Sequence, residues 1–484
     1  MTTAHRNGPA QPPRRSWLSL AAATVLAGGT AALLAACAGP TPPVPGAGPR
    51  EGAAPAAGQP PIVFVHGNGD NAATWIAQVW RFESNGWPRE RLHAVNLPNP
   101  TARDDNTVAQ PGRSSADENS QALGAAVDAV LARTGARQVV LMANSRGGNA
   151  IRHYVQNLGG AAKVSHAILG GTPNHGVWSN ALFRPNNEFN GAGAFLKQLN
   201  EPKGANGDEV TPGIAWMTLR SDHNDKFAQP DGVWIGAKGV PTNVTAEGPA
   251  LKGATNVVLP GLDHREVSYH PQAFEHAWRF LTGRAPATLA VTPEAAPVLD
   301  GEVSGLGPAG ADNRPLAGAN VQVFAVNATT GERQGAAVYS KSTGADGRWG
   351  PFKASPTQTY EFEVATPGHA TLHVYRSPFP RSSTLVHFRA ERLNDADKAA
   401  ASVVVFTRPR GYFGLPRDQI SVDGAAPVGV PTGVAGVSSS RLRLKDGVGR
   451  AVPTSFASGP LREQIVARAW PAAENRLVVV ELTE

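Results

Sequence analysis

Between residues 61 and 285 two hydrophobic rhythms alternate. Short unbroken apolar runs at 61–65, 138–142, 164–170, 214–220 and 255–259 predict strands covered on both faces. Between them apolar residues return every three or four positions. Leu123, Val127, Val130 and Leu131 share one face of 117–134, Ile151, Val155 and Leu158 one face of 149–158, and Ala273, Phe274, Trp278 and Leu281 one face after 270; each predicts a helix. This alternation predicts an α/β fold, a doubly wound, mostly parallel sheet with helices on both sides. Two stretches interrupt it. Residues 98–120 are polar and turn-rich, whereas 176–213 scatter Trp178, Phe183, Phe189 and Leu196 among Asn and Gly, as a lid, a pocket wall or a small packed subdomain would.

After residue 285 the rhythm changes to short β-rich runs parted by Gly, Pro, Asn and Asp. Residues 286–394 predict an all-β sandwich, with alternation at Val321, Val323 and Ala325 and a hairpin turn at Asp346-Gly347. Residues 395–484, with strand-like 402–407, 441–444, 464–469 and 476–482, predict a second β-rich domain or the completion of the first.

The amino terminus reads as targeting rather than structure. In residues 1–36, Arg14-Arg15 precede an apolar stretch that suits a secretory signal and hints at twin-arginine export. The stretch ends in Leu34-Ala35-Ala36-Cys37, which resembles a bacterial lipoprotein signal; acylation of Cys37 would tether the chain to a membrane outside the cytoplasm, whereas an ordinary cleaved signal would release it. Cys37 is the only cysteine, so no intrachain disulfide is available. Residues 37–60, dense in Pro, Gly and Ala, predict a linker. At 484 residues, 41% hydrophobic and 17% charged, the chain is ordinary for a globular protein of two or three domains. Its net charge of +6 falls to +3 without the three arginines of residues 1–36, and no basic stripe with interleaved aromatics remains, which argues against nucleic acid as a partner.

The chemistry concentrates where the apolar runs end. Val139-Val140-Leu141-Met142-Ala143-Asn144-Ser145-Arg146-Gly147-Gly148 is a strand running into a small-X-Ser-X-Gly corner with a helix straight after it. Such an elbow strains the serine backbone, projects its hydroxyl from the sheet and turns the next N–H toward a reacting carbonyl. The run ending in His66-Gly67-Asn68-Gly69 is a second strand that stops at glycine. Its bend predicts the N–H of Asn68 beside that of Arg146, a two-donor oxyanion hole, with His66 stabilising the turn. A base and an acid are expected further along, in the order acid then histidine. His264 follows the run 255–259 and is the first candidate for the base, with His175, His223 and His270 as rivals. The loop after 214–220 offers Asp225 first and Asp222 second as the acid, with Asp231 and Asp263 behind them.

These motifs resemble those of bacterial lipases and esterases of the α/β-hydrolase superfamily: an Ala-X-Ser-X-Gly elbow, a His-Gly-X-Gly loop and a Gly-X-X-His loop, in that order over residues 61–283. The resemblance implies Ser145 as nucleophile, His264 as base, and the Asn68 and Arg146 backbones as oxyanion hole. Its Ser-X-X-Asp acid motif is met by Ser221 to Asp225 only with one extra residue. Separately, 315–324, 342–350 and 360–364 resemble carboxypeptidase-regulatory or transthyretin-like sandwiches. The expectation is a secreted or lipid-anchored serine carboxylic ester hydrolase that works through an acyl-enzyme on hydrophobic acyl esters and needs no metal or cofactor. A polyhydroxyalkanoate depolymerase and a non-catalytic envelope binding protein are the alternatives.

Overall fold

The computed structural model describes residues 58–307 and 310–484; the signal, Cys37 and the linker up to residue 57 lie outside the described residues. Six strands form the first sheet: β1 (Ile62–Val65), β2 (Leu92–Val95), β3 (Val139–Asn144), β4 (Val164–Gly170), β5 (Ala215–Ser221) and β6 (Thr255–Leu259). They lie in the order β2-β1-β3-β4-β5-β6 and every pairing is parallel. Helices α1 (Ile76–Ser84), α2 (Ala116–Thr134), α3 (Arg146–Asn157), α4 (Ala194–Leu199), α5 (Glu266–Tyr269) and α6 (Pro271–Thr282) complete this part.

The unbroken apolar runs have a simple cause. Successive side chains point to opposite faces, and each face has its own core. Val63, Val65, Leu141 and Ala143 pack with Leu123, Val127 and Ile151 of α2 and α3, while Ile62, Phe64, Val140 and Met142 pack with Phe82, Phe274 and Trp278 of α1 and α6. Helix ends follow the local chemistry. At α2, the Ser115 hydroxyl accepts from Glu118 N at 3.2 Å while the Glu118 carboxylate accepts from Ser115 N at 2.9 Å, and Gly135 closes the helix at φ 65°. The sheet order reverses between β1 and β3, which opens a crevice at the carboxyl ends of the strands.

The carboxy-terminal half decides one open expectation and corrects another. One seven-stranded sheet runs Tyr339–Ser342, Asn320–Ala325, Tyr360–Ala365, Thr371–Arg376, Arg476–Glu481, Ser402–Thr407, Ser439–Leu444, so position 394 is no break between a sandwich and a second β-rich domain. The last strand is the reason. Leu477, Val478 and Val480 are fully buried, and a strand covered on both faces needs ladder partners on both edges; it finds Thr371–Arg376 on one side and Ser402–Thr407 on the other, both parallel. The Asp346-Gly347 turn is present, with Gly347 at φ 64°, but it closes no hairpin. Tyr339–Ser342 pairs with Asn320–Ala325 whereas Phe352–Lys353 pairs with Val298–Leu299, because Val303 N donates to Gly347 O at 2.9 Å and draws the turn onto a different strand.

The two halves share a core. Ala72, Ile76 and Trp80 belong to the same buried cluster as Leu299, Val321, Trp349 and Phe362, and Trp80 Nε1 donates to Ser382 O at 3.0 Å. Histidines line this seam, His66 buried and His93 and His387 half-buried. His66 Nδ1 donates to Gly67 O at 2.8 Å and its Nε2 accepts from Leu97 N at 3.1 Å, a neutral ring stabilising the turn. Burial lowers its pKa to about 4. Burial, assisted by Arg348 and Arg389, lowers His387 to about 3, and burial with Arg133 lowers His93 to about 4.

Each of these folded-state values lies below the ordinary 6.5, so the unfolded chain takes up the protons first as pH falls. The stability conferred by the neutral rings is whole above pH 6.5 and is lost as pH drops toward about 4. Urea midpoints measured across that window should fall steadily, and His387→Gln, which keeps an acceptor for Glu302 N but cannot be protonated there, should flatten the fall.

Candidate active site

Ser145 stands between β3 and α3 at φ 52°, ψ −122°. That region is sparsely populated for a residue with a side chain and costs about 1–3 kcal/mol, so the surroundings must impose it. They do so through backbone. Ser145 N donates to Gly170 O at 2.8 Å, and Gly148 N to Ser145 O at 2.9 Å. Glycine is needed on the far side of the corner: a Cβ at 147 would stand 2.7 Å from His66 O, and one at 148 would stand 1.9 Å from Thr172 Oγ1. A Cβ at Gly67 would come within 3.3 Å of Ser145 Cβ, so the loop carrying Asn68 lies directly against the elbow. That loop is pinned by Ala102 N, which donates to Asn68 Oδ1 at 2.7 Å. Arg146 opens α3, and the N–H of a first helical residue has no partner within its own helix. Its buried side chain is fully committed, donating to Glu188 Oε2 at 3.0 Å, Ser114 O at 2.8 Å and Pro100 O at 3.1 Å.

His264 and Asp225 meet at the same place. His264 Nδ1 donates to Asp225 Oδ2 at 2.8 Å, while Asp225 Oδ1 accepts from Phe227 N at 2.8 Å, so both carboxylate oxygens are oriented. With Nδ1 carrying the proton, Nε2 is the acceptor. It is buried, has no partner among the described residues, and belongs to a ring that lines the same cavity as Ser145. The Phe227 ring packs edge-on against the imidazole at 4.6 Å. Gly171 permits this approach, since a Cβ there would stand 2.6 Å from His264 O.

The rival residues are occupied elsewhere. Asp222 accepts from Asn224 N at 3.2 Å and Gly261 N at 3.0 Å, tying one loop to another. Asp231 accepts from Val233 N at 3.1 Å in its own turn. Asp263 is buried against Arg408, Arg417 and Tyr412 N. His175 meets Glu209 at 3.1 Å, exposed His223 meets Glu247 at 3.1 Å, and His270 caps α6 by accepting from Gln272 N at 3.2 Å.

The cavity over Ser145 is about 260 Å³. Trp178 and Phe189 of the 176–213 segment form one wall, and Phe227, Trp234 and Tyr412 another. The segment therefore packs as a wall of the cavity. Tyr412 and Lys226 went unforeseen in the sequence. Lys226 Nζ lies 4.0 Å over the Tyr412 ring and donates to Gly436 O at 2.9 Å, and burial, helped by Arg265, lowers its pKa to about 8. Only its place beside Asp225 could have singled it out; Tyr412 lies 149 positions from Asp263, with no motif around it. As to metals, Glu361, Glu363 and His373 bring ligand atoms within 4.8 Å of one another, but the Arg333 guanidinium already bridges the two carboxylates, donating to Glu361 at 2.6 Å and Glu363 at 2.7 Å.

Residues 59–179 match the family model of lipase (class 2), and 298–393 that of the lipase C-terminal domain, which is the family found for the stretch expected to resemble transthyretin-like sandwiches. Among solved structures the chain is similar to Aspergillus fumigatus lipase B at 16% identity, with 49% of this chain and 55% of that one covered and a TM-score of 0.33. It thus spans little more than half the length of that relative. Bacillus licheniformis lipase BlEst2 matches in its mature form at 19% identity, over 48% of this chain and 95% of that one with a TM-score of 0.33, and in its propeptide form at 15%, over 86% and 94% with a TM-score of 0.34. The chain thus joins a parallel sheet with a serine elbow at its crevice to one segment similar to class 2 lipases and another similar to a lipase C-terminal domain.

Proposed function

We propose that the protein is a serine carboxylic ester hydrolase acting on hydrophobic acyl esters. The observation that carries this reading is the oriented His264–Asp225 pair, with Nε2 unpartnered on a ring that lines the same cavity as the strained Ser145. Ser145 Oγ attacks the ester carbonyl carbon while His264 Nε2 takes the hydroxyl proton, and Asp225 holds the tautomer and stabilises the imidazolium. The N–H groups of Asn68 and Arg146 receive the developing oxyanion, where loss of one such donor typically costs about 3–4 kcal/mol. Collapse of the tetrahedral intermediate breaks the C–O bond, His264 returns its proton to the leaving alcohol, and the acyl group stays on Ser145. Water then attacks the acyl-enzyme by the same proton path and releases the acid.

Cavity size sharpens the substrate. At about 260 Å³ it falls just below the roughly 300 Å³ at which pockets for drug-sized ligands begin, so short acyl groups fit inside and long ones must extend past the rim. The signal-like residues 1–36 and the Leu34-Ala35-Ala36-Cys37 sequence support an exported protein held at a membrane surface through Cys37.

A fluorophosphonate should label the full chain once, and Ser145→Ala should lose both label and hydrolysis; labelling that survives this substitution overturns the assignment. Asp225→Ala should lower kcat by about 10³ to 10⁴, the scale on which triad acids act, and Asp222→Ala by less than about tenfold. The reverse ranking would make Asp222 the acid. Across p-nitrophenyl esters of rising chain length, kcat/KM should peak among the short acyl groups and fall for long ones; a rise throughout the series rules out the compact acyl site.

A further inference from the structure

We infer that residues 408–436, beyond the lipase C-terminal segment, are a positioning device for this active site: they strap down the two loops that carry His264 and Asp225. The inference rests on the proposed hydrolase reading. It begins from an imbalance in how the three catalytic positions are held. The bonds that set the Ser145 corner come from β4 and from the corner itself. The other two loops reach outside the first sheet.

On the His264 loop, the flanking residues Asp263 and Glu266 are both carboxylates, and both are buried. Asp263 Oδ1 accepts from Arg265 N at 2.8 Å and Glu266 N at 3.0 Å, which tightens the turn but leaves two negative charges close together without water. Such charges repel unless cations are supplied. Both cations come from the carboxy-terminal region. Arg408 donates to Glu266 Oε1 at 2.6 Å, and Arg417 to Glu266 Oε2 at 2.9 Å and Asp263 Oδ2 at 3.3 Å. Backbone completes the strap: Tyr412 N donates to Asp263 Oδ2 at 2.7 Å, and Arg265 Nη1 donates to Pro409 O at 3.0 Å. Burial and Glu266 push the Asp263 carboxyl upward against the two arginines, as expected of a group whose charge depends on its partners.

The Asp225 loop is held by the same region. Asn224 Oδ1 accepts from Ala435 N at 3.2 Å while its amide donates to Gly261 O at 3.0 Å, coupling this loop to the histidine loop and to the strap at once. Lys226 Nζ donates to Gly436 O, and the Trp234 ring lies so close to Gly436 that a Cβ there would stand 1.9 Å from it. Tyr412 then faces the cavity over the imidazole, with ring centroids 6.5 Å apart. Removing the strap should therefore displace base and acid while leaving the nucleophile elbow in place.

The test compares three full-length variants. Arg417→Met removes a guanidinium that is partly solvent-accessible, Arg417→Lys keeps its charge, and Arg441→Met breaks a pair with buried Asp397 far along the chain from both loops. In Arg417→Met, hydrogen exchange should rise over 221–227 and 260–266 and stay unchanged over 139–148. With p-nitrophenyl acetate its kcat should fall by about tenfold or more with KM within about twofold, the pattern of a displaced base rather than lost binding. Arg417→Lys should recover part of kcat, and Arg441→Met should match the unsubstituted protein in both readouts. Should Arg417→Met fail to fold, Asn224→Ala, which leaves no buried charge behind, should give the same pattern at about threefold. Loop exchange and kcat indistinguishable from those of Arg441→Met would overturn the strap. If the unsubstituted chain neither hydrolyses the ester nor takes the fluorophosphonate label, the hydrolase reading falls, and loop exchange alone decides the strap.

Discussion

The corner at Ser145 is the constraint around which the rest is arranged. A residue with a side chain sits there at positive φ because β3 is buried along its whole length and α3 must begin at the very next residue. Neither element can yield to relieve the turn. The close approaches at Gly67, Gly147, Gly148 and Gly171 follow from the same crowding, since backbone from β1 and the histidine loop and the side chains of Asn144 and Thr172 leave no room for a methyl group. Strain at that point is tolerated because two separate cores, one on each face of the sheet, hold the flanking elements.

Around the corner several charged groups are enclosed and paired, whereas His264 Nε2 is left without a partner among the described residues. Arg146 is spent on Glu188 and on carbonyls of the polar insertion that precedes α2, so the helix following the serine is tied to the segment that walls the cavity. Asp263 and Glu266 are matched by Arg408 and Arg417 across the seam. Buried pairs of this kind are poor sources of stability, because the desolvation penalty consumes most of the attraction, but they are severe about geometry. Their position beside the histidine loop suits that second property.

The carboxy-terminal half consequently cannot be regarded as an appendage. Its first part shares an apolar core with α1, and its later part supplies Tyr412 to the cavity and Gly436 O to Lys226. The strand Arg476–Glu481 lies inside the seven-stranded sheet, between Thr371–Arg376 and Ser402–Thr407, so residues far apart in the chain complete one surface.

What the sequence determined by itself was local: the strand that ends at Ser145, the glycines that permit its corner, and the helical stripe of Leu123, Val127 and Val130. Each is written in a few consecutive residues whose periodicity or turn chemistry has one economical solution. The sequence put Asp225 ahead of Asp222 in one loop, and the backbone path shows how they differ: Asp225 reaches the His264 imidazole and Asp222 an amide at Gly261. Tyr412 and the Arg408 and Arg417 clamp were invisible for the same reason, and the union of residues before and after 394 in one sheet was one of two readings the sequence left open. They are pairings between segments far apart in the chain, made by burial and charge neutralisation that no short stretch records.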